Sequence, residues 1–227
     1  VVPAIHAAGW GKLLELCLHE TALFPALGLH PVFIESHTDE DLVALEDILA
    51  TESPLAVGEI GLDYYLADLD PARQREMFEA QLSIARNAGL PVLLHVRKAH
   101  DHVLAALRRI RVPGGIAHAF NGSLQQAQQY LELGFKLGFG GTLTYERSKK
   151  IRQLAHDLPI EAIVLETDAP DMVVSQHRGE RNSPEYLPVI LAALVEVREE
   201  DASGLAKQTT LNACEVLGIQ EESMKDG

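Results

Sequence analysis

Four apolar runs of the sequence each end in a side chain of a type that binds metal ions. The four ends are Glu59, His95, His118 and Asp168. A carboxylate has two oxygens and can bridge two cations, and neutral imidazoles complete such sites for Zn²⁺, Mn²⁺ and similar ions. One polar residue at the end of one run means little. Four such ends at regular intervals describe a ring of ligands around one pocket, and they predict a metal-dependent hydrolase.

The four residues suit different parts of such a site. Glu59, His95 and His118 can hold one cation and leave a position open for water. Asp168 can bind a second cation, or it can take the proton from the attacking water. The alternative is that each residue is a polar core group with its own hydrogen bonds. That alternative is the stronger one for any residue taken alone and the weaker one for all four together.

Two further residues near these ends are candidates for substrate binding. His30 also follows an apolar run, and it can orient a substrate or stabilise a developing charge; a turn or capping histidine is the alternative. Arg97 lies two residues beyond His95, and its forked donors suit a non-bridging phosphate oxygen. A structural ion pair of Arg97 with Asp63 or Glu166 is an equally good interpretation.

The loop that follows the last run carries two arginines, Arg178 and Arg181. They can guide an anionic substrate, although a solvated loop is the simpler interpretation. The remaining histidines lie away from the ends of the runs. We predict that they are surface residues: His6, His19, His37, His100, His102, His156 and His177.

The elements that must position these side chains alternate along the chain. The apolar runs are short, as buried parallel strands are, and they predict strands at Val1–Ile5, Phe24–His30, Ala56–Asp63, Pro91–Val96, Gly115–Phe120, Phe135–Gly141 and Ala162–Asp168. Helical patterns and caps predict helices at Asp39–Ala50, Pro71–Ala88, Ser123–Leu133, Glu146–Leu158, Pro184–Glu199 and Ala202–Leu217. Because residues i and i+2 of a strand share a face, Glu59 lies with Asp63 and Glu166 with Asp168.

A strand followed by a helix, repeated, indicates parallel strands joined by crossovers. The strand exits are spaced by about 27 residues, as in a TIM-type (β/α)8 barrel, an α/β fold. Seven of the eight strands are present, and an open sheet of seven strands leaves two bare edges. We therefore expect that residues 1–227 form a single barrel domain that is N-terminally incomplete and lacks a first β/α unit of about 30 residues.

Composition limits the classes of partner. The net charge of −14 argues against a protein that holds nucleic acid by its own surface. It leaves room for an enzyme acting on phosphodiesters, because bound divalent cations supply positive charge at the reacting phosphate. No run reaches the roughly 18 apolar residues that span a bilayer. The two cysteines, Cys17 and Cys214, lie far apart in the sequence and indicate reduced thiols in a cytoplasmic protein. No obligate protein partner is evident from the sequence.

Six sequence motifs resemble the TatD family of metal-dependent deoxyribonucleases, which belongs to the amidohydrolase-type barrels. They occur in the family's order and cover essentially the whole chain: Gly28–Pro31, Gly58–Asp63, Pro91–Arg97, His118–Gly122, Glu166–Pro170 and Arg178–Pro184. The resemblance implies two divalent cations, Zn, Mn or Mg, with Glu59 bridging them. It implies further that His95 and His118 complete one site, and that Asp168 belongs to the other and is the general base.

The resemblance also implies a substrate, DNA or another phosphodiester, cleaved exonuclease-like from the 3′ end. The family's remaining ligands are a His-x-His pair on the first strand, and this sequence has no such pair at a strand end. We therefore expect a weakened second metal site, and weak or no nuclease activity of the chain as given unless a preceding segment exists. A hydrolase of a non-phosphate ester or amide on the same scaffold, or an inactive scaffold remnant, stays open.

Overall fold

A computed structural model describes residues 1–219 of the chain. The described residues divide into two compact units, Val1–Gly115 and Ile116–Ile219. Strands and helices alternate in both units, and residues 1–219 contain seven strands and eight α-helices. None of the helices in this part of the chain has the length and apolar character that crossing a bilayer requires.

The first unit contains parallel strands that pair in chain order. Its strands are β1 (Val2–Pro3), β2 (Pro25–Leu27), β3 (Ala56–Asp63) and β4 (Val92–Arg97). Its helices are α1 (Trp10–His19), α2 (Asp39–Thr51), α3 (Pro71–Ala88) and α4 (His100–Arg109). Each helix returns the chain to the end of the sheet where the next strand begins, which is why successive strands are parallel.

Local chemistry sets the ends of α3. The side chain of Asp70 accepts a hydrogen bond from the amide of Ala72 at 2.8 Å, and Pro71 occupies the first helical position. The helix ends at Gly89, whose φ of 68° is the left-handed conformation that glycine adopts without steric cost. The buried side of α3 includes Met77 and Phe78, as well as two polar residues that form hydrogen bonds with backbone groups near strand ends.

These two polar residues are Gln74 and Gln81, which lie seven residues apart and therefore on one helix face. Each is 1% exposed, and each binds both backbone groups of one residue near a strand end. Gln81 accepts from the amide of Leu29 at 2.8 Å and donates to its carbonyl at 3.2 Å. Gln74 does the same for Asp63, at 2.8 Å and 3.0 Å. The helix thus satisfies backbone groups where the strands leave their ladders.

The second unit is built in the same way. Its strands are β5 (Gly115–Ala117, which begins on the last residue of the first unit), β6 (Phe135–Phe139) and β7 (Ile163–Leu165). Its helices are α5 (Leu124–Glu132), α6 (Lys149–Asp157), α7 (Leu187–Val195) and α8 (Ala202–Leu217). β6 and β7 are parallel, and Phe120, Tyr130 and Phe135 pack edge to face with ring centroids 5.9 Å and 6.0 Å apart.

The observed elements differ from the predicted ones mainly at their ends. β3, α3 and α8 have the predicted bounds, whereas α1 and α4 are helices that the sequence patterns did not predict. α7 is shorter than the predicted Pro184–Glu199, because a helix that is apolar all round gives no periodic signal at its ends. The prediction of a single domain lacking its first β/α unit is not tested by the described residues and stays a prediction.

Two histidines that were predicted to lie at the surface are buried, so that prediction was wrong for His37 and His100. They are 6% and 8% exposed. The ring of His37 can be buried because its Nε2 lies 3.0 Å from the carbonyl oxygen of His30. His100 begins α4 and shares a helix face with Val103 and Leu107, which are also buried.

The two buried glutamines of α3 generate the first prediction. The change Gln81→Met keeps the length of the side chain and removes its amide, so the amide and carbonyl of Leu29 lose their partners. We expect the free energy of unfolding to fall by about 2–4 kcal/mol, since each buried unsatisfied group costs roughly 1–3 kcal/mol. Urea denaturation followed by circular dichroism measures the loss.

The matched control is Gln125→Met, at an exposed position of α5. This variant should unfold within about 0.5 kcal/mol of the parent, as surface substitutions usually do. Equal stabilities of the two variants would show that the Leu29 backbone does not depend on Gln81.

Candidate metal centre

Of the four predicted ligands, Glu59 and His95 lie inside strands of the first unit. The register of β3 and β4 places Gly61 opposite His95. Gly61 has a φ of 149°, and a methyl group on it would overlap the carbonyl oxygen of His95. Glycine at this position therefore lets β3 and β4 approach closely enough for His95 to reach the carboxylate that lies two residues before Gly61.

Two imidazoles contact the carboxylate of Glu59. Nε2 of His30 lies 3.3 Å from Oε1 of Glu59, and Nδ1 of His95 lies 3.2 Å from the same oxygen. Glu59 and His30 are each 8% exposed, and the two rings are 4.5 Å apart between centroids. One ligand atom from each of the three residues falls within 4.8 Å of the others. The structure thus brings together two predicted ligands and His30, which was predicted to bind substrate.

The hydrogen bonds of His30 make it a donor. Its Nδ1 accepts a hydrogen bond from the amide of Val32 at 3.2 Å, so in the neutral ring the proton resides on Nε2. The Nε2–H group then points at Glu59 and has no lone pair to offer a cation. His30 is accordingly suited to donate a hydrogen bond to a carboxylate or to an oxygen of a substrate, and its role in substrate binding stays a prediction.

The backbone around His30 is fixed as firmly as the ring. Its amide donates to the carbonyl of Ile5 at 3.0 Å, and its carbonyl accepts from Nε2 of His37 at 3.0 Å. Burial lowers the pKa of His37, although the carbonyl of His30 and the charge of Asp41 act in the opposite direction. A neutral His37 is therefore the form that supports His30 near neutral pH.

His95 has the opposite arrangement, which Asp63 imposes. Nε2 of His95 lies 3.0 Å from Oδ2 of Asp63, a carboxylate that is 1% exposed. Burial raises the pKa of Asp63, but the hydrogen bonds from His95 and from the amides of Tyr65 and Leu66 outweigh burial and hold the pKa below its usual value. Since Asp63 is ionised, Nε2 of His95 carries the proton, and in the neutral ring Nδ1 presents its lone pair.

The contact between His95 and Glu59 tests whether a metal ion fits. A lone pair of Nδ1 faces a carboxylate oxygen at 3.2 Å, and two acceptors repel unless a proton or a cation lies between them. The separation suits two ligand atoms that each lie about 2.1 Å from a shared ion. Imidazole nitrogen and carboxylate oxygen are also ligand types that Zn²⁺ and Mn²⁺ accept. The residues present therefore fit a divalent cation.

The other two predicted ligands belong to the second unit. A ring nitrogen of His118 and a carboxylate oxygen of Asp168 lie within 4.8 Å of each other. Glu166 supports this pair, because its Oε1 accepts from the amide of Ala119 at 2.6 Å and lies 3.6 Å from Nδ1 of His118. The metal-binding role of all four predicted ligands stays a prediction.

Part of the reasoning that placed Asp168 was wrong. β7 ends at Leu165, so Glu166 and Asp168 do not share a strand face as predicted. The chain turns instead, and Asp168 has a left-handed φ of 56°. His118 and His30 likewise lie just beyond β5 and β2. A loop residue is free of the alternating directions of a strand, and the turn decides where its side chain points.

A buried amide fixes the segment that contains Asp168. Asn182 is 3% exposed and donates to the carbonyls of Thr167 and Asp171, both at 2.6 Å. It therefore attaches the loop before α7 to the turn that follows β7. Arg178 and Arg181 are exposed residues of this loop, and their role in guiding an anionic substrate stays a prediction. Sequence reasoning missed Asn182, since a single asparagine in a loop carries no periodic signal.

Arg97 ends β4 and forms a long contact with Asp63, 4.0 Å between Nη1 and Oδ2. Its guanidinium carbon lies 3.8 Å from the ring centroid of Tyr65. Sequence reasoning also missed the role of Asp63 in orienting His95. The signal was present in its position four residues after Glu59 on the same strand face.

The fold and the clustered ligands define a class of protein, the metal-dependent hydrolases. A sequence profile of the family described as TatD related DNase matches residues 1–218. The chain belongs to the TatD family.

Two relatives illustrate the range of this family. The chain is 41% identical over 222 residues to a protein of Escherichia coli K12 named "uncharacterized metal-dependent hydrolase YjjV", covering 96% of this chain and 86% of the relative. It is 34% identical over 212 residues to a protein of Klebsiella pneumoniae named "3'-5' ssDNA/RNA exonuclease TatD", covering 90% and 81%. Both metal-dependent hydrolases and nucleases therefore occur among its relatives.

A solved structure confirms the fold class. The crystal structure of YjjV, a TatD homologue from Escherichia coli, superposes with a TM-score of 0.93 at 39% identity, covering 96% of this chain and 86% of that one. The prediction of an α/β fold of the TIM type with seven strands is thereby confirmed.

The orientation of His95 by Asp63 generates the second prediction. In Asp63→Asn the amide oxygen must face the amides of Tyr65 and Leu66, so the NH₂ group faces Nε2 of His95. Nε2 then has to accept, and the ring proton moves to Nδ1, the atom that faces Glu59. We expect the affinity for Zn²⁺ or Mn²⁺ to fall about 10- to 100-fold, as measured by isothermal titration calorimetry.

The control is Asp68→Asn, which removes one negative charge at an exposed position. This variant should bind the ions like the parent. Thermal melting of both variants separates a loss of metal binding from a loss of folding. Parent-like metal affinity in Asp63→Asn would contradict the tautomer assignment.

Proposed function

We propose that this chain is a metal-dependent phosphodiesterase that acts on DNA as an exonuclease-like deoxyribonuclease. The observation that carries the proposal is the contact of Nδ1 of His95 with the buried carboxylate of Glu59 at 3.2 Å. A metal-dependent hydrolytic site needs ligands that hold a cation, and this contact is favourable when a cation lies between the two atoms. Membership of the TatD family supports the choice of substrate, since a relative carries the name of a single-stranded DNA and RNA exonuclease.

The proposed centre holds two divalent ions, Zn, Mn or Mg. Glu59, His95 and His118 would hold one ion, and Glu59 and Asp168 would hold the other. Bound ions would supply a nucleophilic water at neutral pH and offset the charge of the phosphate. With no His-x-His pair at a strand end of this sequence, the second site has few ligands, and we propose that it binds its ion more weakly than the first.

The side chains of the chain itself have distinct tasks. Asp168 takes the proton of the attacking water as the general base. His30 donates its Nε2–H to an oxygen of the substrate, because Val32 holds its other nitrogen as an acceptor. Arg97 binds a non-bridging phosphate oxygen through the planar fork of its guanidinium. Arg178 and Arg181 attract the anionic strand to the site.

The net charge of −14 makes this local placement of cations important. A protein of that charge repels a polyanion at most of its surface, so affinity must come from a few basic groups and bound ions. We propose nucleic acid as the partner and the cytoplasm as the place of action, which the wide spacing of Cys17 and Cys214 supports.

The third prediction tests this function. Protein stripped with a chelator and resupplied with Mn²⁺, Mg²⁺ or Zn²⁺ should shorten a 5′-labelled single-stranded oligonucleotide from its 3′ end, at a low rate because the second site has few ligands. Glu59→Gln and His118→Asn should lower the rate more than about 100-fold, since the loss of a supporting group alone costs 10- to 100-fold. Gel separation of the products measures both the rate and the direction.

Glu46→Gln is the control, because Glu46 is an exposed carboxylate of α2. An aromatic lactone assayed in parallel tests the alternative of a non-phosphate ester. Faster metal-dependent hydrolysis of the lactone than of the oligonucleotide would refute the proposed substrate. No hydrolysis of either compound at saturating metal would refute the enzyme and favour a binding or scaffold protein.

A further inference from the structure

An aromatic ring and two cations lie together at the ends of β3 and β4. The guanidinium carbon of Arg97 is 3.8 Å from the ring centroid of Tyr65, and Nζ of Lys98 is 4.8 Å from it. We call these three residues the cation–aromatic platform. All three belong to the first unit, and the amide of Tyr64 donates to the carbonyl of Arg97 at 2.8 Å, which holds the two strand ends together.

The platform is open to solvent. Tyr65 is 51% exposed, and the side chain of Arg97 is 48% exposed. Packing in a hydrophobic core therefore does not explain why an aromatic residue occupies position 65. The 4.0 Å contact of Arg97 with Asp63 is at the limit of an ion pair, so it satisfies little of the guanidinium's capacity for directed hydrogen bonds. An exposed ring beside two cations is the combination that binds single-stranded nucleic acid.

The backbone of Lys98 adds a second observation. Its φ is 55°, a left-handed conformation in which glycine is the favoured residue. A lysine that occupies such a position is held there by its surroundings, and conformations of this kind cluster at binding sites. The turn brings the ammonium group of Lys98 to the ring of Tyr65 rather than along the direction of β4.

One carboxylate couples the platform to the candidate metal centre. Oδ1 of Asp63 accepts from the amide of Tyr65 at 2.9 Å, and Oδ2 lies 3.0 Å from Nε2 of His95. The backbone of Tyr65 is therefore fixed relative to the imidazole that contacts Glu59. A group bound on the platform lies next to the place where hydrolysis would occur.

We propose that the cation–aromatic platform binds one unpaired nucleotide of the substrate strand, with the base stacked on Tyr65 and its phosphate held by Arg97 and Lys98. This inference rests on the proposed function and deepens it by assigning a subsite for a base. Every nucleobase has a face that can stack, so the platform accepts any sequence. A base in a duplex is already stacked between its neighbours, so the platform selects single strands.

The test uses the full chain in the presence of a chelator, so that binding is measured without hydrolysis. The probe is a short fluorescein-labelled oligothymidylate, and fluorescence anisotropy gives Kd. Tyr65→Leu should weaken binding roughly 10- to 100-fold, the range that loss of one base–aromatic stack produces. Tyr65→Phe keeps the ring and should bind within about twofold of the parent.

A probe of the same length made entirely of abasic residues isolates the stacking. Tyr65→Leu should bind it as the parent does, because no base is present to stack. Arg97→Gln should weaken binding of both probes and reduce the dependence of log Kd on log salt by about one unit. Arg86→Gln, at an exposed position in the last turn of α3, removes the same charge away from the platform and should leave both affinities unchanged.

Three results would overturn the inference. They are parent-like binding of oligothymidylate by Tyr65→Leu, an equal loss on the abasic probe, and no binding of either probe by the parent in chelator. Far-UV circular dichroism and thermal melting confirm that each variant is folded, and the expected loss in Arg97→Gln keeps the inference testable if Tyr65→Leu does not fold. Binding as described without metal-dependent hydrolysis would refute the proposed function alone, whereas hydrolysis that is insensitive to Tyr65→Leu would refute this inference alone.

Discussion

The contact between Nδ1 of His95 and Oε1 of Glu59, at 3.2 Å, is the interaction on which the candidate site depends. Two acceptors at this distance repel unless something positive lies between them. The neutral ring cannot avoid the contact by donating from Nδ1, because the ionised Asp63 holds its one proton on Nε2. His30 meets the same carboxylate with the opposite polarity, as a donor. Similar rings thus have different tasks, and their other partners decide which.

The backbone makes this arrangement possible by two devices. Glycine at position 61 lets the carbonyl of His95 approach β3 more closely than a side chain would allow. Gln74 and Gln81 bind the backbone of Asp63 and Leu29 where these residues approach the ends of their strands. A buried peptide group without a partner is costly, so the strand ends that carry His30 and Asp63 need α3 as much as they need the neighbouring strand.

Sequence patterns predicted the elements that are periodic or capped. They did not predict the directions of side chains where the chain turns. The ends of α3 followed from Asp70, Pro71 and Gly89, because each acts through local chemistry. The side-chain direction of Asp168 did not follow, because the strand stops three residues earlier and the left-handed turn is a property of the whole neighbourhood. The clustering of Glu59 with His95 was predicted from strand ends alone. The orienting role of Asp63 was missed, although its position on the same strand face as Glu59 was a signal, and the distance of 3.0 Å to His95 reveals it.

Asp63 also connects the proposed cation–aromatic platform to the candidate metal centre. One of its oxygens accepts from the amides of Tyr65 and Leu66, and the other faces His95. A buried carboxylate with three hydrogen bonds has few alternative positions, so a ligand that presses on Tyr65 acts on a backbone that is already fixed. A strand held on the platform would then meet the imidazole in one orientation. In a chain with a net charge of −14, the proposed binding of an anionic strand would depend on such local positioning, because the summed field of the protein opposes its approach.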